Sequence, residues 1–366
     1  MFKMYSFRNY RIRLCLYVIG ITVIGVMVVG SARQSLQDRQ VMGMALGIGC
    51  MLVLSLFDYS FLLKLVWPIY IVNIGLLTAV ILKGTESHGQ SRWLDIGPIQ
   101  FQPSELSKIA MILFFAAFFM RYQEQISTFR ALAVSAVLAG IPLVLVVQSD
   151  LSTTIVTALI FITLLFVAGI SYKIIAGAAA ICAPAFLVIL YLIMQPDQEI
   201  IKGYQLIRIL AWRYPQKYPD YAYQQQNSIM AIGAGQLWGK GLNNNNFDSV
   251  KNGNFISEPQ TDFIFSIVGE ELGFVGSAAI VILLMLIALE CVLIGRKAKD
   301  LAGRLICCGM AAWIGFQSFV NISVTTGLMP NTGLPLPFIS YGLTSLVSLY
   351  MGIGIVLNVG LQPKKY

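Results

Sequence analysis

EPQTDFIFSIVGEELGFVG (258–276) sets three carboxylates, Asp262, Glu270 and Glu271, at the mouth of an apolar run that continues to residue 295. Crossing a bilayer's roughly 30 Å hydrocarbon core takes about 20 residues, and this run is longer. A charge carried into hydrocarbon costs roughly 2 to 3 kcal/mol or more. The stretch therefore reads as a membrane span whose entrance stands above the lipid. Comparable apolar runs lie at 14–32, 41–57, 61–82, 105–120, 131–148, 151–169, 173–194, 263–295, 303–326 and 338–361. Ten spans predict an all-α polytopic membrane protein, with a large extracytoplasmic loop between spans 7 and 8. With 57% hydrophobic and 11% charged residues and a mean hydropathy of +0.75, the chain lies outside the range of soluble domains.

Leu14 to Ala32 is too long for the apolar core of a secretory leader and is read as a retained first span. An even number of spans puts both termini on one side. Lys3, Arg8, Arg11, Arg13, Arg121, Arg130, Arg296, Lys297 and Lys299 gather on that side, which the positive-inside rule makes cytoplasmic. The net charge of +8 thus follows from topology and anionic lipid, and does not point to nucleic acid. All six cysteines fall within spans as small packing residues, which excludes a disulfide framework. The one histidine, His88, has no companion for a zinc site.

The long connections, 83–105, 195–261 and 327–345, share the extracytoplasmic side and mark it as the working face. YQLIRILAWRYP (204–215) has the amphipathic pattern of an interfacial segment. Pro330, Pro335 and Pro337 forbid a continuous helix over 327–345, and Gly342 is expected to need positive φ or a close approach. Non-helical backbone near membrane depth persists where protein buries it or where it lines a wet cavity, so a cavity is expected on the outer face.

Asp262 has two readings. It is a carboxylate held by free N–H groups at a helix start, or it works as a base or metal ligand. Along one helix Glu270 would lie about 12 Å away, too far to share a bond with it as an acid/base pair. Glu270 and Glu271 read as structural, paired with a nearby Arg or Lys. Glu105 and Lys108, spaced i, i+3, fit a surface ion pair on a helix start. Arg92 beside Trp93 fits an interfacial anchor, and Asp150 fits a turn. No Walker A run, G-x-S-x-G elbow or H-E-x-x-H occurs.

FRNYRIRL near the start, SRWLDIGPIQFQPSELSK (91–108), QSDLSTT (148–154), IMAIGAGQLWGKG (229–241), PQTDFIFSIVGEELGFVG (259–276) and NISVTTGLMPNTGLPLPFISYG (321–342) together resemble the SEDS (shape, elongation, division and sporulation) family of RodA/FtsW type, with the RodA type slightly favoured. The likeness covers residues 1–366 as one transmembrane domain. It departs at SYGLTS (340–345), at Gln100 and at Trp212 to Pro215. The resemblance implies a peptidoglycan glycosyltransferase in the bacterial cytoplasmic membrane. Such an enzyme polymerises lipid II on the outer face by inverting transfer, releases polyprenyl diphosphate and works beside a class B penicillin-binding transpeptidase. It implies a catalytic role for Asp262, as base or as ligand to Mg²⁺ or Mn²⁺, and substrate contacts for Arg92, Glu105, Lys108, Arg208, Lys240 and Ser340. The rival readings are a lipid II flippase and a non-catalytic scaffold. A flippase requires charges recurring at mid-span, which 131–148, 151–169 and 173–194 lack.

Overall fold

The computed structural model describes residues 10–87, 90–96, 99–177, 203–243 and 255–362, with a few isolated positions besides. Its helices long and apolar enough to span a membrane are α1 (Ile12–Ala32), α2 (Gln37–Leu56), α4 (Val66–Lys83), α5 (Pro103–Arg121), α6 (Phe129–Ser149), α10 (Ile264–Arg296), α11 (Leu301–Thr325) and α12 (Leu343–Leu361), and α7 (Leu151–Val167) is a shorter apolar helix. Each falls on a run predicted as a span. The predicted span 173–194 lies largely outside the described residues. The run at 61–82 begins as a separate short helix, α3 (Tyr59–Lys64), capped by Asp58. The middle loop contributes α8 (Gly203–Arg213) and α9 (Pro219–Ala234), and the first loop folds into an antiparallel sheet of β1 (Thr85–Ser87), β2 (Gln90–Ile96) and β3 (Ile99–Phe101). Thr85 pairs with Trp93 and Leu94 with Phe101.

Burial separates the bundle's centre from its rim. α5 and α12 are 78% buried and α11 72%, against 28% for α2 and α4 and 22% for α6. The rim presents Val53, Leu82, Val137 and Met285 outward, a surface that only lipid can cover without cost. At the centre, α11 lies against α10, α7 and α5, and α12 against α2.

α10 is broken at Gly273, where φ 66 and ψ −163 belong to a region open essentially to glycine. A break orphans backbone groups, and the segment after α9 takes them up. Lys240 and Gly241 N–H donate to the Glu270 and Glu271 carbonyls at 2.9 and 3.0 Å, while Phe274 and Val275 N–H donate to Gln236 and Leu237 at 2.8 and 3.1 Å. The glycines of GAGQLWGKG permit this approach, since a side chain on Gly235 or Gly239 would collide with the Gly269 or Glu271 carbonyl. The two glutamates at the break are accordingly structural. Glu270 accepts from Lys240 Nζ at 2.9 Å, and Glu271 accepts from Ser31 Oγ at 2.5 Å.

Gly342 departs from expectation. Its φ of 161 is extended backbone, and a side chain there would meet the Ser345 Cβ no closer than 3.7 Å. Positive φ in this loop falls on Gly327, Gly333 and Phe338 instead.

Candidate active site

The connection from α11 to α12 is a non-helical strap laid across the start of α10. Two polar side chains of α11, four residues apart and hence on one face, hold it from below. Asn321 Nδ2 donates to the Leu334 and Asp262 carbonyls at 2.6 and 2.8 Å, and Gln317 Nε2 donates to Pro335 at 2.9 Å. Ser340 Oγ accepts from Leu336 N–H and donates to the Thr261 carbonyl, both at 2.7 Å, and Tyr341 N–H donates to Gln260 at 2.8 Å. The backbone on both sides of the Asp262 side chain is thereby fixed.

Asp262 itself sits in the turn before α10. The cap position is Phe263, which has no side-chain capping bond, so the carboxylate is not a helix cap. It faces a cleft of about 200 Å³ that Arg92, Trp93, Arg208, Glu258, Tyr341 and Ser345 also line. Desolvation by the surrounding protein is the largest influence on its proton affinity. Arg92 and Arg208 oppose it, Asp150 and Glu258 add to it, and the result is a carboxyl pushed up to about 6. Arg92 extends from β2, with Nε donating to the Ser149 carbonyl at 3.1 Å and Nη1 at 3.6 Å from Asp150 Oδ2. Asp150 also caps α7 through the Ser152 and Thr153 N–H groups.

Gly333 marks how tightly the strap closes on this pair. A Cβ there would stand 3.2 Å from Asp262 Oδ2 and 3.5 Å from Arg92 Nη1, on a backbone with φ +74. Gly333→Ala is expected to cost about 1–2 kcal/mol in backbone strain and to displace the carboxylate or the guanidinium. A fall in turnover larger than the fall in thermal stability is the expected signature.

Glu105 and Lys108 lie beneath the cleft, fully buried, where the sequence suggested a surface pair. Lys108 Nζ is 2.7 Å from Glu105 Oε1 and 2.6 Å from Gln317 Oε1, and stands 4.7 Å over the Trp313 ring. Glu105 Oε2 accepts from Ser345 Oγ at 2.9 Å, linking the pair to the cleft wall. Lys240 belongs to the α10 break and is not among the residues lining the cleft. Of the seven residues named from sequence, Asp262, Arg92 and Arg208 share the cleft, Ser340 shapes its strap, Glu105 and Lys108 are buried outside its lining and joined to it through Ser345, and Lys240 braces α10. Sequence reasoning missed Gln317, Asn321 and Glu258. Two polar residues at i, i+4 in an apolar span were the available signal for the first two.

Fold and site define a class: a multi-pass helical membrane protein with a carboxylate sharing a cleft with two arginines at one end of its bundle. Residues 10–365 match the FtsW/RodA/SpoVE family of cell cycle proteins, and the chain belongs to it. It is 33% identical over 372 residues to the probable peptidoglycan glycosyltransferase FtsW of Geobacter sulfurreducens, covering 97% of this chain and 96% of that one. Its identity to the peptidoglycan glycosyltransferase MrdB of Escherichia coli K12 is also 33%, covering 95% and 93% of the two chains. The fold matches a chain solved within a peptidoglycan synthase complex that coordinates polymerization and crosslinking, with a TM-score of 0.79 at 29% identity over 96% of this chain and 97% of that chain.

Proposed function

We propose that this chain is a peptidoglycan glycosyltransferase that polymerises lipid II at the outer face of the bacterial cytoplasmic membrane, with Asp262 as its general base. The observation that carries the reading is the raised carboxyl of Asp262 in a cleft it shares with Arg92 and Arg208. The acceptor's sugar 4-hydroxyl attacks C1 of the lipid-linked donor. Its proton passes to Asp262, the C1–O bond to the diphosphate breaks, and polyprenyl diphosphate departs with inversion at C1. A base near 6 is largely ionised at neutral pH yet still basic enough to take that proton. Arg92 and Arg208 stabilise the charge that collects on the leaving diphosphate. Ser340 and the Glu105–Lys108 pair act as positioning groups under this mechanism, and Lys240 holds α10.

In the alternative role, as a metal ligand in place of the base, Asp262 together with Glu258, the two carboxylates lining the cleft, would hold Mg²⁺ or Mn²⁺, since Mg²⁺ takes one or two carboxylates and completes its shell with substrate phosphates and water. Bound there, it would supply further charge neutralisation to the diphosphate. No group of three or more metal-ligating side chains occurs among the described residues. The gathering of basic residues on the side of the termini supports a cytoplasmic location for both, and the likeness to a synthase-complex chain supports a class B penicillin-binding transpeptidase as the partner.

The test is polymerisation of purified lipid II by the purified protein, alone and with the transpeptidase. Initial rates should fall as the pH drops through about 6, because only the carboxylate accepts a proton. Arg92→Gln removes a charge that favours the ionised form and unmasks Asp150, so both effects raise the Asp262 pKa. The acidic limb should then move to higher pH. A limb that stays in place would show that it does not report Asp262.

A further inference from the structure

We propose that the end of the bundle away from the cleft carries a binding site for an anionic phospholipid, between the start of α4 and the end of α5. A cavity of about 680 Å³ opens there. α5 runs from Pro103, next to Gln102 at the cleft, to Arg121, at this cavity, and at 1.5 Å per residue its ends are about 27 Å apart. The cavity therefore sits in the other leaflet. Naming that leaflet cytoplasmic rests on the outer-face placement proposed above.

One wall is apolar and aromatic, built from Trp67, Phe114, Phe118 and Met120. Its rings hold one another edge-on or stacked, with the Trp67 and Phe114 centroids 5.1 Å apart and Tyr70 stacked on Phe114 at 4.4 Å. Lys64 and Arg121, at the ends of α3 and α5, line the same cavity and are exposed. Neither has an ion-pair partner among the described residues. Asp300 is the acidic residue in the lining, and its carboxylate is already engaged by the Gly303 N–H at 2.7 Å and the Tyr59 hydroxyl at 2.9 Å. Lys299, outside the lining, is taken up by Gln362 at 2.5 Å and by the lining residue Ser60 at 3.1 Å. Cations at the membrane surface beside a lipid-deep aromatic wall complement a phosphodiester with an acyl chain attached. Free phosphate would leave the apolar wall bare.

The experiment uses the full-length protein in neutral detergent, without lipid II, so failure of the glycosyltransferase reading would not alter the outcome. Phosphatidylglycerol and phosphatidylcholine of identical chains are added, and retained lipid is counted by native mass spectrometry. Phosphatidylglycerol is expected to be held roughly tenfold or more tightly, since each basic residue contributes roughly fivefold. Lys64→Gln with Arg121→Gln should abolish the preference. Ala117→Trp fills the cavity while keeping both cations, and should expel either lipid. Arg130→Gln with Lys173→Gln, exposed cations outside this cavity, should change nothing. The proposal is overturned if the Lys64/Arg121 variant keeps the preference, if the control pair loses it equally, or if millimolar inorganic phosphate displaces the lipid. Should Ala117→Trp fail to fold, the exposed charge variant decides.

Discussion

Asp262→Asn is expected to leave the protein folded and able to bind lipid II, while slowing glycan polymerisation by about 10² to 10⁴-fold. The amide is nearly isosteric but takes no proton at neutral pH. Folding should be indifferent because the turn is held through backbone, by Asn321 on the Asp262 carbonyl and Ser340 on that of Thr261. The α10 cap is Phe263, so no capping bond is lost with the carboxylate. Glycan length and initial rate on purified lipid II check this directly. A scaffold would be unaffected by the substitution, and a flippase would show altered lipid translocation with no lost strands. Near wild-type polymerisation by Asp262→Asn would remove the base assignment.

Lys108→Ala should produce the largest loss of stability. It strands the Glu105 carboxylate inside the bundle with only the Ser345 hydroxyl beside it, and breaking a buried pair costs about 3–5 kcal/mol. Replacing both partners, as Lys108→Met with Glu105→Leu, removes the orphaned charge and should recover most of that loss. The comparison is made by thermal inactivation in detergent. It also tests what the pair does for the reaction. Lys108 is fully buried and bonded to Gln317 and Glu105, so it can serve the cleft only indirectly, through the strap that Gln317 holds and the Ser345 that Glu105 holds. A stable double variant with near wild-type turnover would leave the pair a purely structural role.

The spans were visible in the sequence because lipid-facing helices must be apolar over their whole length, and that signal survives even at the buried α5, where Glu105 and Lys108 interrupt it. Asp262 stood out as a charge at the mouth of an apolar run, whereas Arg92 and Arg208, in polar loops, were marked by the family resemblance. Whether such a charge faces a cleft, a neighbouring helix or the bundle's axis depends on packing. Lys108 and Lys240 therefore looked equivalent to Arg92, although one lies under the site and the other behind it. The sheet at 85–101 was hidden because its strands are short and lack clean alternation. Gly342 and Gly333 share similar proline-rich surroundings, and only the path of the strap over Asp262 decides which needs positive φ. The break at Gly273 left no local mark either, since its cause is the distant segment 236–241 that supplies the missing hydrogen bonds.

That break separates two mechanical jobs. Beyond Gly273, α10 runs about 35 Å to Arg296, close to the thickness of a membrane's hydrocarbon. Before it, the short segment that follows Asp262 is tied to the α9 side by backbone hydrogen bonds and to the strap by Ser340 and Asn321. The segment 236–241 grips Glu270 and Glu271 before the bend and Phe274 and Val275 after it, so tilt of the lower segment in a thicker or thinner bilayer loads a braced joint and not a free hinge. The Asp262 carboxylate thus stands on a buttress: the bonds that clamp the bend hold its bearing on the cleft when the membrane beneath it is strained.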